Sequence, residues 1–312
     1  MNNIALSVVI PVYNTGIILQ ETIDSVLNQA FTNWELLIVD DGSTDEVTAN
    51  ILLQQNDERI RIIHKKNAGV AEARNTGLAN ARGKYVAFLD HDDLFVPEKL
   101  LESLKVFSEK PDAVLVYSDT IPIGDFFNRV IPKQKVDGKI FDSVIKNNPI
   151  LSMSCSVVDK TFLDLHNIKF DPSCVPCDDW DFHLQCALYG RIYSTNQPLV
   201  KYRYHDNNLS SNAVKMYYAG ISVINKYNAL LPELSQYSGL SRRTIRINLN
   251  HIAFKHYYGL AFEYLKLHQY KDAFQFLVKA FTLRPLKCLG KVLRFAAKSI
   301  KKEMFFKNER SG

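Results

Sequence analysis

Within the first ninety residues, four short apolar runs alternate with stretches that carry the spacing of helices. "LSVVIPV" (6–12), "WELLIVD" (34–40), "RIRIIH" (59–64) and "KYVAFL" (84–89) are too short for buried helices and read as strands. Between them, "GIILQETIDSVLNQ" places Ile18, Ile23, Val26 and Leu27 at helical spacing. Ser43-Thr44-Asp45 offers a cap for a helix starting near Glu46, and "GVAEARNTGLANA" predicts another that Gly83 stops. Strands separated by helices require crossover connections, which are right-handed and give a largely parallel sheet with helices on both faces. In such sheets ligands collect beyond the carboxyl ends of the strands. Tyr13 and Asn14, Asp40 and Asp41, and Asp90 to Asp93 all follow strand ends, so one rim should gather them.

Past Pro97, "EKLLESLKVFSE" predicts a helix and "DAVLVYSDT" a strand; residues 121–142 read as irregular. From about residue 216 the pattern is helical, and "FEYLKLHQYKDAFQFLVKAFTLRP" has the form of one tetratricopeptide-like helix-turn-helix. This divides the chain into an α/β region over 1–215 and a helical region over 216–312 with a basic amphipathic tail.

Several classes are disfavoured. No run approaches the about 18 to 20 apolar residues of a membrane span, and the opening residues lack the pattern of a secretory leader. Five cysteines, an odd and sparse set, fit a reducing compartment, so the expectation is a cytoplasmic protein. Cys174 and Cys177 form a single C-x-x-C without a second pair at zinc spacing. The formal net charge is +5, and residues 286–312 alone carry a surplus of six, so the rest shows no basic groove for nucleic acid.

Asp90 and Asp92 flank His91 at the end of the fourth strand. Two carboxylates so spaced can share a hard divalent ion, Mg²⁺ or Mn²⁺, with coordination left for phosphate oxygens. The competing reading is a turn in which Asp93 serves as a cap before Pro97. The chain has no G-x-G-x-x-G after its first strand and no G-x-x-x-x-G-K-[ST], so a phosphate ligand would depend on an ion and basic side chains.

"SVVIPVYN", "LNQAFTNWELLIVDDGSTD", "NAGVAEARNTGLANARGKYVAFLDHDD", "CDDWDFHLQCALYG" and "YRYHDNNLS" occur in that order over about residues 5–212. Together they resemble the family 2 glycosyltransferases, whose catalytic domain has the GT-A fold, a Rossmann-like mixed sheet. The resemblance implies that Pro11, Tyr13, Asp40 and Asp41 hold the nucleotide, with a UDP-sugar favoured, and that Arg74 lies near the diphosphate. It implies that Asp90 and Asp92 form the metal-binding D-x-D, Asp92 as ligand and Asp90 nearer the ribose, and that His205 completes the metal shell.

The same resemblance makes Asp179 the general base that accepts a proton from the attacking sugar hydroxyl, with inversion at the anomeric carbon. Asp178 stands where the family usually has Glu, on the acceptor side, and Ser152 and Ser154 are candidate acceptor contacts. Read by themselves, Asp178 and Asp179 also suit a helix start. The implied activity is metal-dependent transfer from a nucleotide sugar to a glycan or lipid-linked glycan in surface-polysaccharide synthesis. Rival readings are a sugar nucleotidyltransferase and an inactive binding scaffold. In the tail, Lys287, Lys291, Arg294, Lys298 and Lys301 share a helical face opposite Leu286, Leu289, Leu293 and Ile300. That pattern fits either a helix lying on an anionic membrane or one whose apolar stripe packs on the protein.

Overall fold

The computed structural model describes residues 4–124, 136–205 and 208–294. Strands β1 (Leu6–Val12), β2 (Trp34–Asp40), β3 (Ile60–His64) and β4 (Tyr85–Phe88) alternate with helices α1 (Ile18–Leu27), α2 (Glu46–Leu53) and α3 (Val70–Asn80). There follow β5 (Leu94–Phe95), α4 (Lys99–Glu109), β6 (Ala113–Gly124), α5 (Phe141–Lys146), β7 (Ser156–Asp159), α6 (Lys160–His166), α7 (Asp178–Tyr189) and β8 (Arg191–Tyr204). Among the described residues these strands form one sheet in the order β3-β2-β1-β4-β7-β6-β8-β5. The first four strands are mutually parallel, β7 runs against β4 and β6, and β6 and β8 are parallel.

Every residue of β1 and β2 is buried because both faces of the sheet are covered. Successive side chains enter different cores: Val9, Leu37, Val39 and Phe88 join one, and Val8, Ile10, Leu36 and Ile38 the other. Two glycines set the spacing. A Cβ on Gly77 of α3 would stand 2.2 Å from a Val9 methyl, so its absence lets the helix lie close on β1. Gly83 was expected as a helix stop, but α3 already ends at Asn80. A Cβ there would come within 2.6 Å of the Leu6 and Ser7 backbone, so the glycine serves the approach of the chain to β1.

Asp45 caps α2 as expected, its carboxylate accepting from the Thr48 amide at 2.7 Å. The stretch expected to be irregular is ordered at its start, because β6 continues to Gly124 through pairing with β8 that contains register shifts. Residues 125–135 lie outside the described residues.

The helical region begins with α8 (Ala213–Ala229), followed by α9 (Leu231–Ser238), α10 (Arg242–Lys266) and α11 (Tyr270–Leu283). Val223, Tyr227, Ile245, Leu249 and Ile252 from this region share a core with Phe141, Val144 and Phe182. The expected helix-turn-helix is the α10–α11 pair, and a last helix spans 285–294. In that helix Cys288 is buried against Phe254, while Lys291 lies 4.6 Å from the centre of the Tyr258 ring. Of the stripe read as either membrane-bound or packed on the protein, Leu286, Leu289 and Leu293 are exposed among the described residues. Lys298, Ile300 and Lys301 lie outside the described residues.

Candidate active site

The chain leaves β3 on one side of β1 and returns as β4 on the other, so the crevice beyond β1 and β4 is a topological switch point. Pro11 is tolerated in a central strand for a local reason. The odd residues of β1 bond toward β4, and Leu89 donating to the Val9 carbonyl is the last rung, so Pro11, which has no N–H, stands where this ladder ends. Tyr13 follows at the rim and is 48% exposed. Asn14, at φ +48°, accepts from the Thr44 and Asp45 amides and donates its own amide to Ser43 Oγ, joining the loops after β1 and β2.

Both members of the first acidic pair are anchored. Asp40 accepts from the Ser43 amide at 2.9 Å and contacts His64 Nδ1 at 2.9 Å. Burial works against its charge, but Ser43 and His64 outweigh it and hold the carboxyl below its usual range. Asp41 accepts from Lys65 Nζ at 2.5 Å and from the Gly69 amide at 2.7 Å, so it ties β2 to the start of α3.

Arg74 was expected beside a diphosphate. It is 6% exposed and clamped between two carboxylates, with Nη2 donating to Asp90 at 2.5 Å and Nη1 to Asp178 at 2.6 Å. Burial disfavours the guanidinium charge, but Asp90 and Asp178 reverse that and raise its pKa. Asp90 is correspondingly held low, Arg74 overcoming the effect of burial. This side chain crosses from the loop after β4 to the first turn of α7.

Asp93 does not cap the turn before Pro97. It is 1% exposed and accepts from Ser154 Oγ at 2.6 Å and from the Arg203 amide at 3.0 Å, fixing the acidic loop to the β7 and β8 side. Burial and then the neighbouring charges of Asp92 and Asp90 push its carboxyl well above the usual range. Ser152 Oγ donates to Asp90 at 3.2 Å, and the Ser154 hydroxyl also accepts from the Asp90 amide at 3.0 Å. Ser154 is fully buried, so the expectation that it meets an acceptor is corrected: the serines brace the acidic loop.

Asp92 and His205 converge across 113 residues, with Oδ2 and Nε2 2.8 Å apart. In this structure the two groups pair with each other, and a carboxylate beside an imidazole is a donor set that suits a divalent transition ion better than Mg²⁺, which prefers oxygen alone. Asp90 is turned toward Arg74 rather than toward this pair.

The second acidic pair opens α7. Asp178 is buried against Arg74, while Asp179 is partly exposed and accepts from the Trp180 amide at 2.6 Å. Neither provides a side-chain cap, since the N-cap residue is Cys177. Burial, then the charge of Asp178, push the Asp179 carboxyl up to about 7, against the pull of Arg74. A carboxylate with that proton affinity suits proton abstraction near neutral pH. Trp180 locks the turn by donating Nε1 to the Val144 carbonyl at 2.8 Å and stacking on His256 of α10.

Cys174 and Cys177 are both buried free thiols. Cys174 sits with Asp171 and Asp181 in a tight group, and burial followed by those charges pushes its thiol up to about 12. Lys226 bridges Asp171 and Asp181 at 2.8 Å each, supplying the cation this group needs. Arg74, Asp93 and Lys226 are the residues whose structural roles sequence reasoning missed. Their partners are far away in sequence, and the only forewarning is their charge inside apolar surroundings.

Residues 7–164 match the family model described as Glycosyl transferase family 2. A putative teichuronic acid biosynthesis glycosyltransferase, TuaG of Bacillus subtilis, is 33% identical over 223 residues, covering 67% of this chain and 83% of that protein. An uncharacterized glycosyltransferase of Rickettsia felis is 33% identical over 76% of this chain, and another of Rickettsia conorii is 41% identical over 48%. The matches span only 39% and 25% of those two relatives' lengths. Among solved structures, residues 1–349 of S. aureus TarS in complex with UDP superpose with a TM-score of 0.65 at 18% identity, covering 91% of this chain and 82% of that one. A mannosyltransferase from Pyrobaculum calidifontis in complex with GDP-Man and Mn²⁺ gives 0.61 at 17%, covering 95% and 80%. At these identities the structures speak for the GT-A fold.

Proposed function

The chain belongs to the family 2 glycosyltransferases, and from that premise we propose an inverting transferase. It moves a sugar from a nucleoside diphosphate donor, UDP-linked, to a hydroxyl of a glycan or lipid-linked glycan. Surface-polysaccharide synthesis is the setting favoured by the likeness to a putative teichuronic acid enzyme. Its place is the cytoplasmic side of a membrane, where peripheral attachment through residues 286–312 keeps it near a lipid-linked acceptor. No described helix is long and apolar enough to cross a membrane.

One observation carries the catalytic reading. Asp179, on the rigid first turn of a helix, has its carboxyl pushed up to about 7, while its neighbour Asp178 is committed to Arg74. Asp179 takes the proton of the acceptor hydroxyl as that oxygen attacks the anomeric carbon. The bond to the diphosphate breaks on the opposite face. Asp178 and Arg74 hold the base at a fixed place relative to the loop bearing Asp90.

On the donor side, Tyr13 offers a ring at the rim, and Asp40 and Asp41 keep the loops of the nucleotide crevice in place. Pro11 stiffens the strand end below Tyr13. Asp92 and His205 would hold the divalent ion, Mn²⁺ in preference to Mg²⁺. When bound, the ion neutralises the charge of the departing diphosphate.

The test is hydrolysis of a panel of nucleotide sugars with Mn²⁺, with Asp179→Asn as control. Loss of turnover with UDP binding retained supports the assignment. Full turnover in that variant would overturn the assignment of the base, and no hydrolysis of any donor would overturn the reaction class.

A further inference from the structure

The helices at the end of the described chain present an apolar face that none of the described residues covers. Helix α11 buries Ala273, Phe276 and Ala280 toward the protein, yet Tyr270, Phe274, Val278 and Phe281 on its other side are 65%, 67%, 45% and 49% exposed. The helix 285–294 continues this surface with Leu286, Leu289 and Leu293, exposed by 87%, 51% and 60%. Contiguous patches of this kind mark binding surfaces, whereas single exposed apolar residues do not.

The charge around the patch indicates what covers it. Residues 266–294 contain seven Lys or Arg and one acidic residue, Asp272, whereas the 265 residues before them carry a net charge of −4. Lys271 and Arg294 are exposed beside the apolar side chains. The chain leaving this surface at residue 294 carries five more Lys or Arg against two Glu, interspersed with Phe295, Ile300, Met304, Phe305 and Phe306. A second copy would bring the same positive charge into contact with itself. A surface that is both anionic and apolar below its charged layer complements both features.

We infer that α11 and the helix 285–294 dock on an anionic lipid bilayer with the aromatic and leucine side chains inserted below the headgroups. This deepens the peripheral attachment read from the tail, and it places the insertion on the leucine side and on α11 rather than on the basic face. Lys291, and Lys287 at 5.8 Å from the centre of the Phe254 ring, lean back toward α10 and keep that basic face against the protein. The inference rests on the membrane reading alone and is independent of the reaction assigned to Asp179.

Cosedimentation of the full chain with vesicles of phosphatidylcholine, with and without phosphatidylglycerol, tests it without any activity measurement. The expected result is binding to the anionic vesicles that weakens with salt. It should fall roughly tenfold or more for each buried ring removed in Phe274→Ser and Phe281→Ser, and by about fivefold for Lys271→Gln. Thermal melting of the serine variants should match the parent, because both positions are exposed. Absence of vesicle binding would overturn the inference. So would binding that survives the double serine change, which would put the contact elsewhere in the tail. A concentration-dependent dimer abolished by the same change would assign the face to a second copy and overturn it as well.

Discussion

Two aspartate pairs stand at element ends on the site, and their surroundings give them opposite behaviour. Asp40 and Asp41, at the end of β2, are held by Ser43, His64, Lys65 and the amides at the start of α3. Asp178 and Asp179, at the start of α7, share a single strong cationic partner, Arg74, which Asp178 takes. The remaining carboxyl, Asp179, is left with one backbone amide, partial burial and a charged neighbour, and its proton affinity rises to about 7. Sequence alone shows two acidic dipeptides. The number of donors each one meets separates an anchored carboxylate from one that binds its proton tightly.

Breaking the contrast where it is sharpest should have the largest effect. Asp179→Asn is expected to lower sugar transfer by roughly 10²–10⁴-fold, the usual share of a positioned base. UDP affinity measured by calorimetry should not change. Arg74→Met leaves buried Asp178 and partly buried Asp90 without their cation, and chemical denaturation should report a loss of about 3 kcal/mol. A loss under about 1 kcal/mol would mean that the ion pair is not what fixes α7 to the loop after β4.

His205→Ala tests the donor side. The Mn²⁺ concentration giving half-maximal donor hydrolysis should rise by at least the roughly 10–100-fold typical of losing a residue that supports a metal site. An unchanged requirement would remove His205 from the ion's shell.

Smaller effects sharpen the comparison. Transfer should rise with pH to a plateau above about 7, since the base acts deprotonated. Asp178 raises the Asp179 pKa, so Asp178→Asn should move the inflection to lower pH; movement upward would refute the charge argument. The weakest signal lies in stability. A carboxyl that binds its proton more tightly folded than unfolded contributes stability that is complete below its ordinary value of about 4 and disappears as pH rises through about 7. Melting temperature over that window should therefore fall more steeply in the parent than in Asp179→Asn.

The strands and helices of the first half were legible because burial on two faces leaves continuous apolar runs and exposed helices leave periodic ones. The cap at Asp45 was legible for the same local reason, whereas Asp93, Asp178 and Asp179, which also read as caps, are taken by other contacts. Asp179 at the head of α7, and Asp92 with His205, became readable through the order of motifs. What stayed hidden depends on distance. Arg74 meets Asp178 across 104 residues, and Ser154 meets Asp93 across 61, so no periodicity announces them. The extension of β6 over Ile121–Gly124 was hidden because it contains Pro122 and Gly124, which strands disfavour, and pairs with β8 about 80 residues away.

The core shared by Val223, Tyr227, Ile245 and Leu249 with Phe141, Val144 and Phe182 bears on how this enzyme can be re-engineered. A chimera joined near residue 215 would tear open that core and unseat Trp180, whose indole donates to α5 and stacks on α10. A join after Lys266, at the short connection to α11, spares that core provided the incoming helix keeps the side chains that Phe276 and Ala280 present to Phe254, Leu260 and Ala261 of α10. There a new anchoring element can be grafted while the seat of the base stays whole.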